Sequence, residues 1–368
     1  MNLTEQQGKA IAEVTNWLKH LSKKKQIFRL FGYAGTGKTT IAKYLADNTE
    51  TKVVYAAFTG KAALMMAKKG CRGASTIHSL IYKTEEKADG SVKFIINKNS
   101  PIKYSDIVVI DECSMVNEEL AKDIMSFRKP ILVIGDPAQL APVKGTGFFT
   151  NAEPDFLLTE IHRQAKDNPV LYLATRVREG MSIDVGTYGE SRVASIGKVT
   201  ESDIIQADQI LVGKNNTRIS LNKFVRAHKG FPGVFPLKGD KLVCLRNDNT
   251  MGIFNGGIFN VSADSMPARS KKGCTLIPVT SEDFPNRPAI SVKVRDEFFN
   301  GDPNTVDWRI LKDTQQFDYG YALTTHKSQG SQWENVMIFD ESNVFREQSR
   351  EWLYTALTRA SEKVTLVR

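Results

Sequence analysis

Cysteine is scarce in this 368-residue chain: Cys71, Cys113, Cys244 and Cys274 stand far apart, with no C-x-x-C pair. That scatter argues against a disulfide framework or a zinc site and for a reducing compartment. No window approaches 18 uninterrupted apolar residues, so no membrane-spanning helix is expected. The opening Met1-Asn-Leu-Thr-Glu-Gln-Gln7 lacks the apolar core of a signal peptide, and a cytoplasmic protein is the expectation, host cytoplasm if the source is viral. No fixed-period repeat and no low-complexity tail is found. Beyond Asp111 and Glu112 no second carboxylate cluster has metal-ligand spacing, which disfavours a nuclease; Asp302, Asp307 and Asp313 read as solvated loop charges.

What is present describes a globular chain, 41% hydrophobic and 25% charged, long enough for two or three domains. The net charge of +9 and pI near 9.2 suit a polyanionic partner, and equally a basic solvated surface.

The most specific feature is Gly32-Tyr-Ala-Gly35-Thr36-Gly37-Lys38-Thr39, followed by Thr40, placed between an apolar run (27–31) and a helical stretch (39–47). Strand, glycine-rich loop and helix are the context of a phosphate cradle, in which backbone N–H groups and a helix N-terminus face an anion. Lys38 is expected at the β- and γ-phosphates of ATP and Thr39 at Mg²⁺. A second apolar run (107–110) ends in Asp111-Glu112, two adjacent carboxylates whose repulsion a cation or proton would relieve. Asp111 is read as the Mg²⁺ partner and Glu112 as the base that orients the attacking water. In Val133-Ile-Gly-Asp136-Pro-Ala-Gln139-Leu, Gln139 has the donor and acceptor needed to sense a γ-phosphate.

Apolar strand patterns at 26–31, 52–57, 107–110 and 131–134 alternate with helical ones such as 61–69, which predicts a parallel sheet wrapped by helices. Residues 82–104, with the turn pair Asp89-Gly90, read as an inserted β-hairpin. A second α/β pattern begins near Phe156, with helices at 168–179, 215–228 and 351–359 and strands at 209–212, 321–325, 336–339 and 364–367. Residues 235–317 interrupt it with short β-rich runs and Gly/Pro punctuation, as an inserted small β-barrel would. The expected division is therefore a first domain over 1–150 and a second over 151–368. Arg163 and Arg359 are candidates for cations facing the γ-phosphate; alone, each reads as readily as a surface or helix-end charge.

In order along the chain, Gln7, Gly32 to Thr39, Ala57-Phe-Thr59-Gly-Lys61, Ser75-Thr-Ile-His78, Asp111 to Met115, Gly135 to Val143, Arg163, Thr324-Thr-His326-Lys327-Ser-Gln329-Gly330 and Tyr354 to Ala360 resemble the motifs of superfamily 1 DNA helicases of the RecD and Dda type. Phe58 and Ala141 stand where that family usually has proline, and the chain lacks the large N-terminal domain of RecD subunits, which leans the likeness towards compact bacteriophage Dda-type enzymes. The resemblance implies an α/β fold of two RecA-like P-loop ATPase domains in tandem, the barrel being SH3-like. It implies an ATP- and Mg²⁺-dependent DNA helicase that moves 5′ to 3′ along single-stranded DNA and unwinds forked DNA, most simply as a monomer. Partners among replication or recombination proteins, such as a single-strand-binding protein, fit the same reading. Gln7 would read adenine, Arg163 and Arg359 would face the phosphates, and Gly330 would couple nucleotide to strand.

The resemblance also assigns Thr59, Lys61, His78, Asn215, His326 and Lys327 to the DNA strand; His78 and His326 can equally be hydrogen-bonded structural histidines. Phe94 in the hairpin is either a wedge that stacks on the terminal base pair or a core residue of the hairpin. Two alternatives stay open: an RNA helicase of the same superfamily, and a nucleotide-gated DNA-binding or loading factor that displaces no strand.

Overall fold

The computed structural model describes residues 3–47, 51–86, 92–141, 147–160, 167–248, 250–262, 267–270 and 273–368. The chain divides into two compact units, one of Met1–Asp184 with 329–332 and 345–362, the other of Val185–Ser328 with 333–344 and 363–368.

In the first unit Thr4 caps helix α1 (Glu5–Asn16) in a reciprocal capping box with Gln7. Strand β1 (Ile27–Gly32) leads into helix α2 (Lys38–Asp47), and β2 (Val53–Ala57) into α3 (Gly60–Lys68), capped by Thr59. Then follow β3 (Ser75–Thr76), α4 (Ile77–Ile81), β4 (Tyr82–Glu86), β5 (Val92–Ile96), β6 (Ile107–Asp111), α5 (Glu118–Met125), β7 (Ile131–Gly135), β8 (Phe156–Leu158) and α6 (Pro169–Arg178). The sheet runs β3-β2-β6-β7-β1-β8 with every pairing parallel. Its central strands are near-continuous apolar runs because both faces are covered, one core gathering around Leu30, Val109 and Leu132, the other around Phe31, Ile110 and Val133.

One expectation is corrected here. Phe156–Leu158 does not open the second domain: it is the edge strand of the first sheet, with Phe156 opposite Leu30 and Leu158 opposite Gly32. Its short apolar triplet covers the open side of β1, and Gln6 holds the chain beyond it by accepting the N–H groups of Thr159 (2.9 Å) and Glu160 (2.7 Å). The first unit accordingly extends to Asp184, past the expected boundary at 150. Strands β4 and β5 form the expected antiparallel hairpin, with Thr84 opposite Phe94; the Asp89-Gly90 turn lies outside the described residues. After β5 the chain passes into a 3-10 turn (Pro101–Tyr104), so the paired part of the hairpin ends at Ile96.

The second unit contains β9 (Gly186–Tyr188), β10 (Ser191–Ala194), α7 (Glu201–Gln206), β11 (Gln209–Val212) and α8 (Asn215–His228). Next come β12 (Lys241–Cys244), β13 (Ile258–Val261), β14 (Ala268–Ser270), β15 (Cys274–Ser281), β16 (Ile290–Arg295), α9 (Trp308–Leu311) and β17 (Phe317–Tyr319). The chain resumes with β18 (Ala322–Thr324), α10 (Thr325–Ser328) and β19 (Trp333–Phe339), visits the first unit in α11 (Ser349–Leu357), and returns in β20 (Ala360–Val367). The α/β sheet is ordered β18-β11-β19-β20-β10-β9. The insert is one antiparallel sheet, β14-β15-β13-β12-β17 with β16 on β15, and a parallel bridge links Val294 in β16 to Gln315, just before β17. It occupies the segment where the barrel is expected, joined by a bridge rather than a full ladder.

Candidate nucleotide site and nucleic-acid surfaces

The cradle is shaped by close approach as much as by sequence. Gly35 and Gly37 both have φ of +79°, a conformation that favours glycine, and a Cβ on Gly37 would lie 2.5 Å from the Gln7 amide nitrogen. Gln7 is 1% exposed; its side-chain oxygen accepts the Thr4 N–H at 3.0 Å and its amide donates to the Thr36 carbonyl at 3.0 Å. It therefore fastens α1 to the cradle. Lys38 Nζ donates to the carbonyls of Gly32 (2.7 Å) and Tyr33 (2.9 Å) and lies 3.9 Å from Asp136 Oδ2.

Thr39 Oγ1 donates to Asp111 Oδ2 at 3.0 Å, pairing the two oxygens expected to hold Mg²⁺. Both are hard donors of the kind Mg²⁺ takes, and Gly35 and Gly37 bring no side chain to the loop, so the residues fit ATP with Mg²⁺. Asp111 Oδ1 accepts the Glu112 N–H at 2.8 Å, and Glu112 itself is held at φ 53°, ψ 43°, left-handed backbone that a non-glycine residue seldom adopts. Burial pushes its carboxyl up from the usual range, opposed by Arg359 and Lys38 and reinforced by Asp111 and Asp136. The Gln139 side-chain carbonyl is buried and has no hydrogen-bond partner, an unspent acceptor beside the cradle loop's companion strand.

Helix α11 closes the site within the first unit. Leu140 donates its N–H to Thr355 Oγ1 at 2.9 Å, and its carbonyl accepts the Gln329 amide at 3.0 Å. Tyr354, 1% exposed, accepts the Ala34 N–H at 3.0 Å and donates to Asp136 Oδ2 at 2.7 Å. Burial first, then Asp136, raises this phenol well above its ordinary value, so it stays a donor. Arg359, 6% exposed, donates to Thr355 O and Ser331 O, each at 3.1 Å, and to Thr358 Oγ1 at 3.2 Å. Arg359 thus belongs to the compact unit of the cradle, not to the second unit as its place in the sequence suggested. Arg163 lies outside the described residues. Thr40 follows Thr39 in the first turn of α2, and its N–H donates to Gly37 O at 3.0 Å.

Thr59 caps α3 through the Ala62 N–H at 3.1 Å, and Lys61 is buried in the following turn. Gly330, at φ +78°, meets the same turn: a Cβ there would be 3.0 Å from Ala62 Cβ and 3.1 Å from Thr59 Oγ1. Gly330, expected to couple nucleotide to strand, and Thr59, expected at the strand, are therefore close neighbours. His78 stands among aromatic rings, with centroids 6.0 Å from Phe58, 5.8 Å from Tyr82 and 6.5 Å from Phe94; desolvation there lowers its imidazole. Phe94 is 59% exposed, so it is not the hairpin's core. In the second unit Asn215 opens α8 and accepts Arg218 Nε at 3.2 Å, while Lys327 donates to Asn255 and is lowered chiefly by burial. Both line a cleft of about 1390 Å³ that also includes Lys223, Phe299 and Tyr319. His326, in α10, is lowered by burial.

Three contributors were not singled out from sequence: Gln6, Asp136 and Tyr354. Asp136 and Tyr354 stand inside quoted motifs, and a paired buried acid and phenol is the signal that marks them.

The family model described as "AAA domain" matches residues 2–198, more than half of the chain. The chain belongs to the AAA-domain family. A second model, the UvrD-like helicase C-terminal domain, matches residues 319–367 of this AAA-family chain, in keeping with the superfamily 1 likeness of its motifs. It is 29% identical over 364 residues to the ATP-dependent RecD2 DNA helicase of Deinococcus radiodurans, covering 91% of this chain and 46% of that protein. It is 31% identical over 194 residues to the ATP-dependent DNA helicase dda of Enterobacteria phage T4, covering 49% and 43%. The matched stretches cover less than half the length of each of these two relatives. In fold it is similar to Bacteroides Pif1 bound to single-stranded DNA, with a TM-score of 0.59 at 18% identity over 99% of this chain and 92% of that one. The likeness shows a shared α/β fold.

Proposed function

We propose that this AAA-family chain is an ATP-dependent DNA helicase that moves 5′ to 3′ on single-stranded DNA and parts forked duplexes. The observation that carries the reading is the pairing of Thr39 with Asp111 at 3.0 Å directly beside Glu112, next to a cradle whose lysine lies along its own loop carbonyls. The relatives named for ATP-dependent DNA unwinding support it, and the polarity follows the resemblance of the motifs.

Bound ATP with Mg²⁺ supplies a phosphoanhydride whose hydrolysis releases the free energy for movement. The cradle loop, fastened to α1 by Gln7, positions the nucleotide; Lys38 exchanges its loop carbonyls for phosphate oxygens. Thr39 and Asp111 would hold Mg²⁺. Glu112, with its raised affinity for protons, accepts the proton of the attacking water. Gln139 offers its unspent acceptor to that water, and Arg163 and Arg359 offset charge that develops on the γ-phosphate. Gly330 transmits the change to Thr59 and Lys61, which with His78, Asn215, His326 and Lys327 hold the strand, while Phe94 meets the fork.

The first domain of this motor is proposed to carry the hairpin and the second the SH3-like barrel, with the protein acting as a monomer in the cytoplasm. The test measures ATPase with and without DNA or RNA oligonucleotides, then strand displacement from duplexes with a 5′ or a 3′ overhang. Displacement from the 5′-tailed duplex alone is expected. Preference for RNA identifies an RNA helicase, and stimulated ATPase without displacement a loading factor.

A further inference from the structure

We propose that Tyr354 is a positioning residue whose hydroxyl keeps helix α11, and with it Arg359, in register with the nucleotide cradle. The inference rests on the ATPase reading of that cradle and adds a residue to it. The Tyr354 hydroxyl is used at both ends, accepting Ala34 N–H from inside the cradle and donating to Asp136 Oδ2 on the loop after β7. Asp136 is itself oriented by the Ala138 N–H at 3.0 Å and faces Lys38 Nζ at 3.9 Å. One phenol oxygen therefore touches the loop that holds phosphate and the carboxylate that faces the phosphate-seeking lysine.

The next residue repeats the connection. Thr355 holds the N–H of Leu140, the residue after Gln139, and its carbonyl accepts Arg359 Nε. Tyr354 and Thr355 thus tie α11 to the cradle and to the Gln139 loop one turn before the arginine. Arg178, whose guanidinium lies 3.7 Å over the Tyr33 ring, reinforces the α6 side of the same cluster. A buried phenol with both hydrogen-bonding capacities spent has one orientation, and the helix that carries it inherits that constraint. Displacement of Ala34 or Lys38 by an arriving nucleotide acts on Tyr354 first and reaches Arg359, five positions on, through the last turn of α11 and its cap Thr358.

The test compares the wild type with Tyr354→Phe, which keeps the ring and removes the oxygen, and with Thr355→Val. For Tyr354→Phe the expected result is a kcat for ATP about tenfold lower with KM unchanged or reduced, because the cradle still binds while Arg359 is misplaced. Fluorescent ADP binding by the same variant should stay within about threefold of wild type. Unchanged kcat overturns the proposal, as does a raised KM with kcat retained, which would make the hydroxyl a binding group only. A melting temperature that falls with proportionate loss of ADP binding reduces Tyr354 to a structural role and also overturns it; Thr355→Val then shows whether α11 alignment matters at all, and its unchanged kcat removes the helix from the mechanism. If the wild type itself fails to hydrolyse ATP, the functional reading fails, a result distinct from any of these.

Discussion

Gly330 packs so near Thr59 that a Cβ built at 330 would lie 3.1 Å from the Thr59 oxygen. Because Gly330 also has φ +78°, Gly330→Ala meets two obstacles, left-handed backbone costing about 1–2 kcal/mol and a neighbour that must yield. The expected outcome is near-normal ATPase without DNA and a DNA-stimulated rate reduced about tenfold. Paired rate measurements over a titration of oligonucleotide check this, and equal losses in both rates would mean the contact couples nothing.

Lys38→Ala should lower ATP turnover by a factor of about a hundred or more, since the cradle loses the cation that offsets phosphate charge. Phosphate release under saturating ATP measures it. The fold should survive, because Lys38 hydrogen-bonds loop carbonyls that water can satisfy, and Asp136, 3.9 Å away, keeps the Tyr354 hydroxyl and the Ala138 N–H.

Glu112→Gln is expected to abolish hydrolysis yet raise thermal stability at neutral pH. The native carboxyl has a raised affinity for protons, so the folded state binds its proton more tightly than the unfolded chain does. Stability from this group is present below the ordinary unfolded value and is lost as pH rises through the raised native one. Glutamine removes that loss. Melting curves from pH 4 to 8 should show the variant's advantage growing with pH and vanishing at the acid end.

Phe94→Ala should retain DNA-stimulated ATPase and lose strand displacement, because the ring is 59% exposed and contributes stacking of about 1–3 kcal/mol rather than core packing. Unwinding of a forked duplex followed by fluorescence reads the difference; a variant that unwinds as fast as wild type has no wedge to lose.

Much of the first sheet was legible because buried parallel strands are continuous apolar runs and the cradle follows β1 directly. Helix α8 begins at Asn215 and ends at His228 as its periodicity predicts. Phe156–Leu158 was misplaced because three apolar residues carry no sign of which sheet they will join; that is decided by the vacant edge of β1 and by Gln6, 150 residues away in sequence. The same limit hid Tyr354. A tyrosine in an apolar helix looks like core until Ala34 and Asp136, over 200 residues earlier, are seen to share its oxygen. Thr39 and Asp111 were legible together because a nucleotide explains both, whereas the placement of Arg359 with the cradle depends on the chain's late return to the first unit.

That return has a practical corollary. A truncated protein stopping at Asp184 would strip Ala34, Asp136 and both ends of the Leu140 peptide of the hydrogen bonds that Tyr354, Thr355 and Gln329 make to them. The N-terminal half is therefore not a detachable miniature of the whole: dissecting it requires residues 329–332 and 345–362 to be grafted back, on linkers that let them re-seat.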